Sequence, residues 1–600
     1  MKQIHCLSFL LILLVTASFI SCSDDDDKNR FETGITGQSW TDGTPLEISP
    51  DNVLKVKFNA AADWTASGNS DWCNLLTTSG EKGQNTLKLS VTSVAAANRT
   101  ATITIKVDGY SSTSFEVMQK ASSGTTTEDM EVNEEVDQYL REMYLWNDEY
   151  KTLDLDFTKG YEDFFYNALG SMTTNTLDKR PAEDGLRYTL FSYIEKREPV
   201  STPRNTKLVF KEPAYSFGIT GMTVISIGTQ NDYTTYFCIQ GVYPDSPADI
   251  AGIKRGSMIN SINGEKINNG NIENYYYSLL YPSGAFSLNL REDIIESGST
   301  TGTKEINIVS KAMYCNPIIA QKVIEKDGHN IGYLVYSGFD AGFDQELFDT
   351  FKGFKSKNVT DLIIDLRYNG GGHTLSANLM ATCIAGAVAQ GKVFTTLRYN
   401  KERMEKLNNK REEELFAYTN YVNLGASLSA GSLGLTRVYC LVGNGTASAS
   451  ELVINSLRGI DIEVILIGEK TTGKNVGMEY EDVTIRNNTY RVVPITFQSY
   501  NAKGYGDYEN GFTPEPGLII DETNPFNESG RFYIHRDYAT NDEPLYAKAI
   551  ELITGKNPSI GIRSMEEKTV KGNVRKMPSI FRPGHDGMLK RRASKASPIS

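Results

Sequence analysis

Three short loops concentrate the residues whose types could do chemistry together. A strand-like run at 438–442 leads into Gly443-Asn444-Gly445-Thr446-Ala447-Ser448-Ala449-Ser450-Glu451 and then a helical pattern. The next apolar run, 464–468, leads into Glu469-Lys470-Thr471-Thr472-Gly473-Lys474. A strand–helix–strand unit of this length is right-handed with parallel strands, so both loops should emerge at the carboxyl ends of neighbouring strands. Ser448 and Lys474, 26 residues apart, can then face each other across one crossover. A third run at 361–366 ends in Arg367-Tyr368-Asn369-Gly370-Gly371-Gly372, whose backbone N–H groups are candidates for an oxyanion hole. A serine hydroxyl is a weak nucleophile without a base, and a lysine serves as one if desolvation disfavours its ammonium form. Ser448 at a helix N-terminus would add the N–H of Ala449 and a favourable dipole.

Two rival readings use the same residues. Ser448 followed three positions later by Glu451 is also a capping box, but that accounts for neither Lys474 nor the glycine loop. A Ser-His-Asp triad needs a histidine, and the chain has five. His5 lies in the leader and His585 in the tail, which leaves His329, His373 and His535; only His373 lies near a loop of interest, and it reads as a loop histidine bound to solvent. No metal-ligand spacing appears, Gly370-Gly371-Gly372 lacks the spacing of a phosphate-binding loop, and no cofactor is expected. Cys73, Cys238, Cys315, Cys383 and Cys440 are scattered and form no Cys-x-x-Cys pair, so they read as small buried hydrophobes.

The elements that must position these loops form a multidomain α+β chain. Residues 310–555 alternate continuous apolar runs with helical stretches, the pattern of an α/β core whose sheet is covered on both faces. Residues 205–295 read as strands with one short helix, and residues 130–204 as a mainly helical cap. A polar linker occupies 121–129. Residues 31–120 alternate apolar and polar positions between turn signals, as in a β-sandwich. Trp64 and Trp72 are expected in its core. The 600-residue chain is 40% hydrophobic with a net charge of −13, which excludes wholesale disorder and disfavours nucleic-acid binding. Charge is uneven: residues 556–600 hold 11 Lys/Arg against 3 Asp/Glu, a basic tail expected to be poorly ordered, and residues 1–555 carry −21. No run reaches the roughly 18 to 20 apolar residues of a membrane-spanning helix.

The N-terminus reads as an address. Lys2 precedes a 14-residue apolar and small stretch, 7–20, that ends in Phe19-Ile20-Ser21-Cys22. This resembles a bacterial lipoprotein signal occupying 1–21, with Cys22 as the lipidated residue. The acidic leader 22–30 resembles the signal that carries Bacteroidetes lipoproteins to the outer face of the outer membrane. The resemblance implies a lipid-anchored, outer-membrane and surface-exposed protein.

Three further resemblances cover the body. Trp64, Trp72-Cys73, Arg99-Thr100-Ala101-Thr102-Ile103 and Phe115-Glu116-Val117-Met118-Gln119 resemble a BACON-type sandwich, which implies glycan as a candidate partner there. Tyr215-Ser216-Phe217-Gly218-Ile219, then Val242-Tyr243-Pro244-Asp245-Ser246-Pro247-Ala248 and Ile262-Asn263-Gly264 resemble a PDZ domain. The N–H groups of Ser216, Phe217, Gly218 and Ile219 could form a nest for a terminal carboxylate, and the next strand edge could take a peptide by β-addition. The 365–372, 446–451 and 468–474 segments resemble the C-terminal processing (tail-specific) peptidases over 130–555. That resemblance implies a serine endopeptidase acting on polypeptides recognised through their free C-termini. It implies Ser448 as nucleophile, Lys474 as general base, and the N–H groups of Ala449 and Gly371 as oxyanion hole. Many relatives carry Gln four residues after the lysine; here Met478 stands there, and Glu451 or Asn475 is expected to orient the amine instead. The alternative reading is a catalytically impaired surface lipoprotein that binds glycan or peptide.

Overall fold

The computed structural model describes residues 33–40, 45–48, 53–70, 72–91, 99–119, 127–181, 188–197, 214–228, 232–282, 284–296, 299–525, 527, 530–556, 569–575 and 588–590. The leader with Cys22, and residues 121–126 of the linker, lie outside them. The chain divides into two compact units, Met1–Gly124 and Thr125–Ser600.

Period-2 patterning builds the first unit. In Leu54–Ala60, Gly83–Val91 and Arg99–Val107 alternate residues turn inward, and Val56, Phe58, Leu87, Leu89, Ile103 and Ile105 are buried. Two sheets result, one built on Leu54–Ala60 and Gly83–Val91, the other on Arg99–Val107, Thr113–Gln119 and Trp64–Gly68. Trp64 sits in the core, its ring edge-on to Phe58 at 4.9 Å. Trp72 is only half-buried, and the Arg99 guanidinium covers one face of its ring at 4.5 Å.

In the second unit, apolar runs form a five-stranded sheet in the order Ile318–Lys326, His329–Tyr336, Asp361–Asp365, Arg437–Val442, Glu463–Gly468. The first pair is antiparallel and the others are parallel. Helices Asp344–Ser356, Thr374–Ala385 and Ala449–Gly459 bury their apolar faces on one side, and Pro544–Thr554 covers the other. The continuous burial of Leu362, Ile363 and Ile364 follows from this two-sided cover. Asp365 lies opposite Leu441 and Val442 opposite Gly468, so the three chemistry-bearing loops leave one edge of the sheet together.

The segment before the core is helical only as far as Ser171, through Thr127–Met143, Asn147–Tyr150 and Tyr161–Ser171. The expectation of a mainly helical cap over 130–204 is corrected beyond that point. Tyr193–Arg197 is a strand paired with Asn488–Val493, and Tyr188–Leu190 pairs with Lys179–Pro181. Long-range pairing with the core decides these residues, and local patterning does not report it. The cap core takes in Val476, Met478 and Ile495 from the α/β core.

The 214–313 region forms an antiparallel sheet ordered Ser299–Val309, Ser287–Glu296, Met258–Ile262, Tyr233–Val242, Ile219–Gly228. It has two helices where one was expected, Pro247–Ile250 and Ile272–Leu280, and it runs past residue 295. Within the tail expected to be poorly ordered, Thr569–Arg575 and Met588–Lys590 are strands, and most of its other residues lie outside the described ones. Thr569–Arg575 adds to the Ile219–Gly228 edge and to Arg531–Tyr533, and its Val570 is buried.

A buried ionic network joins this region to the core. Arg367 bonds Asp365 through Nε at 2.9 Å and Nη2 at 2.6 Å, and reaches Glu522 at 2.7 Å and Glu543 at 2.6 Å through Nη1. Arg255 bonds the same Glu522 at 2.8 Å and the Tyr368 hydroxyl at 2.9 Å. Beside it lies His535, whose Nε2 is 3.0 Å from Thr223 Oγ1. Burial holds the His535 imidazole down at about 3, against the pull of Glu522. The unfolded chain takes up that proton near pH 6.5 and the folded one resists it, so the histidine's contribution is complete above about 6.5 and falls as the pH drops. Denaturant midpoints should therefore fall from pH 7 to pH 4, and His535→Gln should flatten that slope.

Candidate active site

Ser448 stands at the sharp turn between Arg437–Val442 and Ala449–Gly459 with φ 59° and ψ −112°, backbone strained for a residue with a Cβ. Neighbouring loops over-determine the turn. Ala447 N–H donates to Asn369 O at 3.1 Å, the Ser450 hydroxyl to the same carbonyl at 2.9 Å, and Thr446 Oγ1 to Leu366 O at 2.7 Å. Ser448 is buried, and its Oγ has no hydrogen-bond partner.

Glu451 turns out to join the serine and lysine loops. Its Oε2 accepts the N–H of Ser448 at 2.9 Å and of Lys474 at 2.8 Å, while Oε1 accepts the Gly473 N–H at 2.7 Å and the Thr471 hydroxyl at 2.5 Å. Burial pushes this carboxyl up from its ordinary value, against the pull of those four donors. The expected orienting role of Glu451 thus falls on the Lys474 backbone, and its capping bond to Ser448 is one of four.

Lys474 is buried. Its Nζ lies 4.4 Å from the centre of the Phe191 ring and 3.9 Å from Met478 Sδ. Asn475 spends its amide elsewhere, donating Nδ2 to Gly506 O at 2.7 Å. Phe191 was missed by sequence reasoning: it arrives from the cap, its N–H bonded to Asp178 Oδ1 at 2.8 Å. Arg180, also from the cap, fastens the lysine loop through Gly473 O at 2.8 Å.

Gly371 packs directly on the serine. It has φ 115°, and a Cβ there would lie 2.8 Å from Ser448 Cβ and 2.9 Å from Ala449 N. Only glycine allows the two amides to approach this closely. The Gly371 N–H donates to Asn369 Oδ1 at 2.9 Å, and Asn369 Nδ2 donates to Tyr336 O at 2.9 Å. Asn369 is a second residue that sequence reasoning passed over, although it stands inside the glycine-loop motif.

His373 is half-buried in the short strand Gly372–His373, not free in a loop, and burial with nearby Arg491 holds it down at about 4. Because Ser448 Oγ has no hydrogen-bond partner, no His–Ser bond forms. Among the described residues, no group of three or more His, Cys, Asp or Glu side chains could hold a metal ion.

A cavity of about 740 Å³ runs from Ala447 and Lys474 to Ser216, Ile219 and Met222. At its far end the Gly218 N–H donates to Ser216 Oγ at 2.9 Å, Phe217 and Ile219 are buried, and a Cβ on Gly218 would strike Ser246.

The model of peptidase family S41 matches residues 330–516, and that of the peptidase S41 N-terminal domain matches 131–193. The BACON model, described as an N-terminal binding domain, matches 62–120. A carboxyl-terminal-processing protease of Picosynechococcus is 24% identical over 233 residues, 39% of this chain and 49% of that protein. A carboxy-terminal processing protease of Bacillus subtilis is 25% identical over 302 residues, 49% of this chain and 56% of that one. The chain thus spans about half the length of these curated relatives. A Bacteroides fragilis crystal structure described as an S41 protease shares the fold at TM-score 0.53 and 24% identity, covering 70% of this chain and 97% of that one.

Glu451→Gln places an amide N–H₂ against donors that now meet an oxygen. It should lower stability by about 1–3 kcal/mol per orphaned buried donor in denaturant titrations. It should also loosen both loops, seen as faster amide exchange at 446–451 and 471–474.

Proposed function

We propose that the chain, whose residues 330–516 match peptidase family S41, is a serine endopeptidase with a Ser448–Lys474 dyad. The observation that carries the reading is the single buried carboxylate holding the backbones of both residues, with the serine hydroxyl unpartnered. Neutral Lys474 Nζ takes the Ser448 proton as Oγ bonds the scissile carbonyl carbon. The oxyanion that forms meets the N–H groups of Ala449 and, once released from Asn369, Gly371. Collapse breaks the C–N bond, and the lysine passes its proton to the leaving amine. Water then attacks the acyl-enzyme by the same proton route and frees Ser448. Burial of Lys474 beside the Met478 thioether favours the neutral amine, against the pull of the Phe191 ring face on the ammonium.

The 214–313 region is PDZ-like in this reading. The Ser216–Ile219 loop receives the substrate's C-terminal carboxylate, and the 219–223 part of the strand edge left open by Thr569–Arg575 receives its backbone. The shared cavity supports a substrate that reaches from this loop to the dyad. Cys22 would carry a lipid that tethers the protein to the outer membrane, with the sandwich turned to glycan or acting as a spacer. A catalytically impaired peptide- or glycan-binding lipoprotein is the second reading, favoured by the Met478 thioether where an amide would orient Lys474.

Wild type should cleave an unfolded protein with a free apolar C-terminus and label with a fluorophosphonate at Ser448. Ser448→Ala and Lys474→Ala should each cut turnover by at least about 10³-fold with folding unchanged. Undiminished turnover in either variant rejects the dyad. Wild-type inactivity rescued by Met478→Gln favours the impaired reading.

A further inference from the structure

The C-terminal tail returns to the active site as a strand. Met588–Lys590 lies between Gly372–His373 and Val476–Glu479 and runs parallel to both. Met588 is opposite Gly372 on one side and Gly477 on the other; Leu589 is opposite His373 and Met478. Each flanking strand leaves a catalytic loop: Gly372 follows Gly371, which packs on Ser448, and Val476 lies two residues past Lys474. The tail's own N-terminal end therefore points toward the dyad.

Two rows of backbone N–H and C=O groups face each other across this space at twice the strand spacing, about 9.5 Å. One extended chain satisfies both rows, and no compact ligand does. We propose that this slot is a polypeptide-binding subsite and that the protein's own residues 588–590 are its resident, displaced when substrate enters. The inference rests on the peptidase reading only in calling the displacing polypeptide substrate.

Two observations explain why the tail is held there. The first is its anchor: Thr569–Arg575 is already paired on one side with Arg531–Tyr533 and on the other with Ile219–Gly228. Only residues 576–587 separate that anchor from the slot, and a tether this short gives an effective concentration of the order of millimolar. The second is charge. Residues 556–600 carry 11 basic against 3 acidic side chains, opposite in sign to the rest of the chain. The same anchor takes residues 224–227 of the edge strand and leaves 219–223 lining the cavity, so tail and substrate share that strand.

The test uses Ser448→Ala protein, in which nothing is cut. Full-length chain, a chain ending at Lys576 that keeps the anchor, and full-length Leu589→Pro, which removes a strand N–H, are compared. A fluorescein-labelled copy of residues 582–593 is titrated by anisotropy, and amide exchange is followed at 372–373 and 476–479. The shortened chain and Leu589→Pro should bind the labelled copy at least tenfold more tightly than the full-length chain and exchange faster at those amides. Equal affinity with unchanged exchange overturns the proposal; if the peptide binds none of them, exchange alone decides, faster supporting and unchanged overturning. The shortened chain with Ser448 restored separates the two readings: faster exchange without turnover of any peptide refutes the peptidase and leaves the resident strand standing.

Discussion

One buried carboxylate organises the catalytic end of the molecule. Glu451 accepts from Ser448, Thr471, Gly473 and Lys474, so the loops after two neighbouring strands are held to one pair of oxygens. A fully buried carboxylate costs several kcal/mol in desolvation unless its acceptor sites are filled. Here four donors fill them, and the cost of burial is offset only when both loops are in place. Ser448 and Lys474 are thereby placed together or not at all.

The second constraint is the sharing of Glu522 between Arg367 and Arg255. Arg367 opens the glycine loop, and Arg255 belongs to the 214–313 sheet. Removing one partner from such a buried network costs about 3–5 kcal/mol, so the sheet is fixed on the core from the side of the glycine loop. Arg255 also donates to Gln240 O at 2.6 Å, in the strand beside Ile219–Gly228. That edge therefore lies one strand away from a guanidinium wired, through Glu522, to Arg367 at the start of the glycine loop.

Much of this was legible from residue types. The three loops could be placed on one sheet edge because parallel α/β connections have one hand, and Ser448, Lys474 and Gly371 were picked out by chemistry and motif. What escaped notice depends on contacts between distant parts of the chain. Phe191 under Lys474 is an ordinary aromatic in a cap that reads as helical, and it is fixed by its bond to Asp178 and by the neighbouring strand Tyr193–Arg197, whose partner lies about 300 residues onward. Glu451 read as half of a capping box and as a candidate to orient the Lys474 amine, but spacing along a helix says nothing about the backbone N–H groups of Gly473 and Lys474 or the Thr471 hydroxyl that it accepts from. The tail looked like solvated charge, since Thr569–Arg575 has little apolar patterning and its order comes from edges that other elements leave open.

The lysine pocket has a further consequence for the life history of the chain. Its walls are Phe191 and Met478, and the slot beside it is filled from residues 588–590, so its parts are made nearly 400 residues apart. Contacts so distant in sequence close late in folding, after the entropy of the intervening loops has been overcome. A chain emerging N-terminus first has its cap before Ser448, and Ser448 before the last strand of that sheet. The sheet beside Lys474 is thus completed only when residues 588–590 have been made.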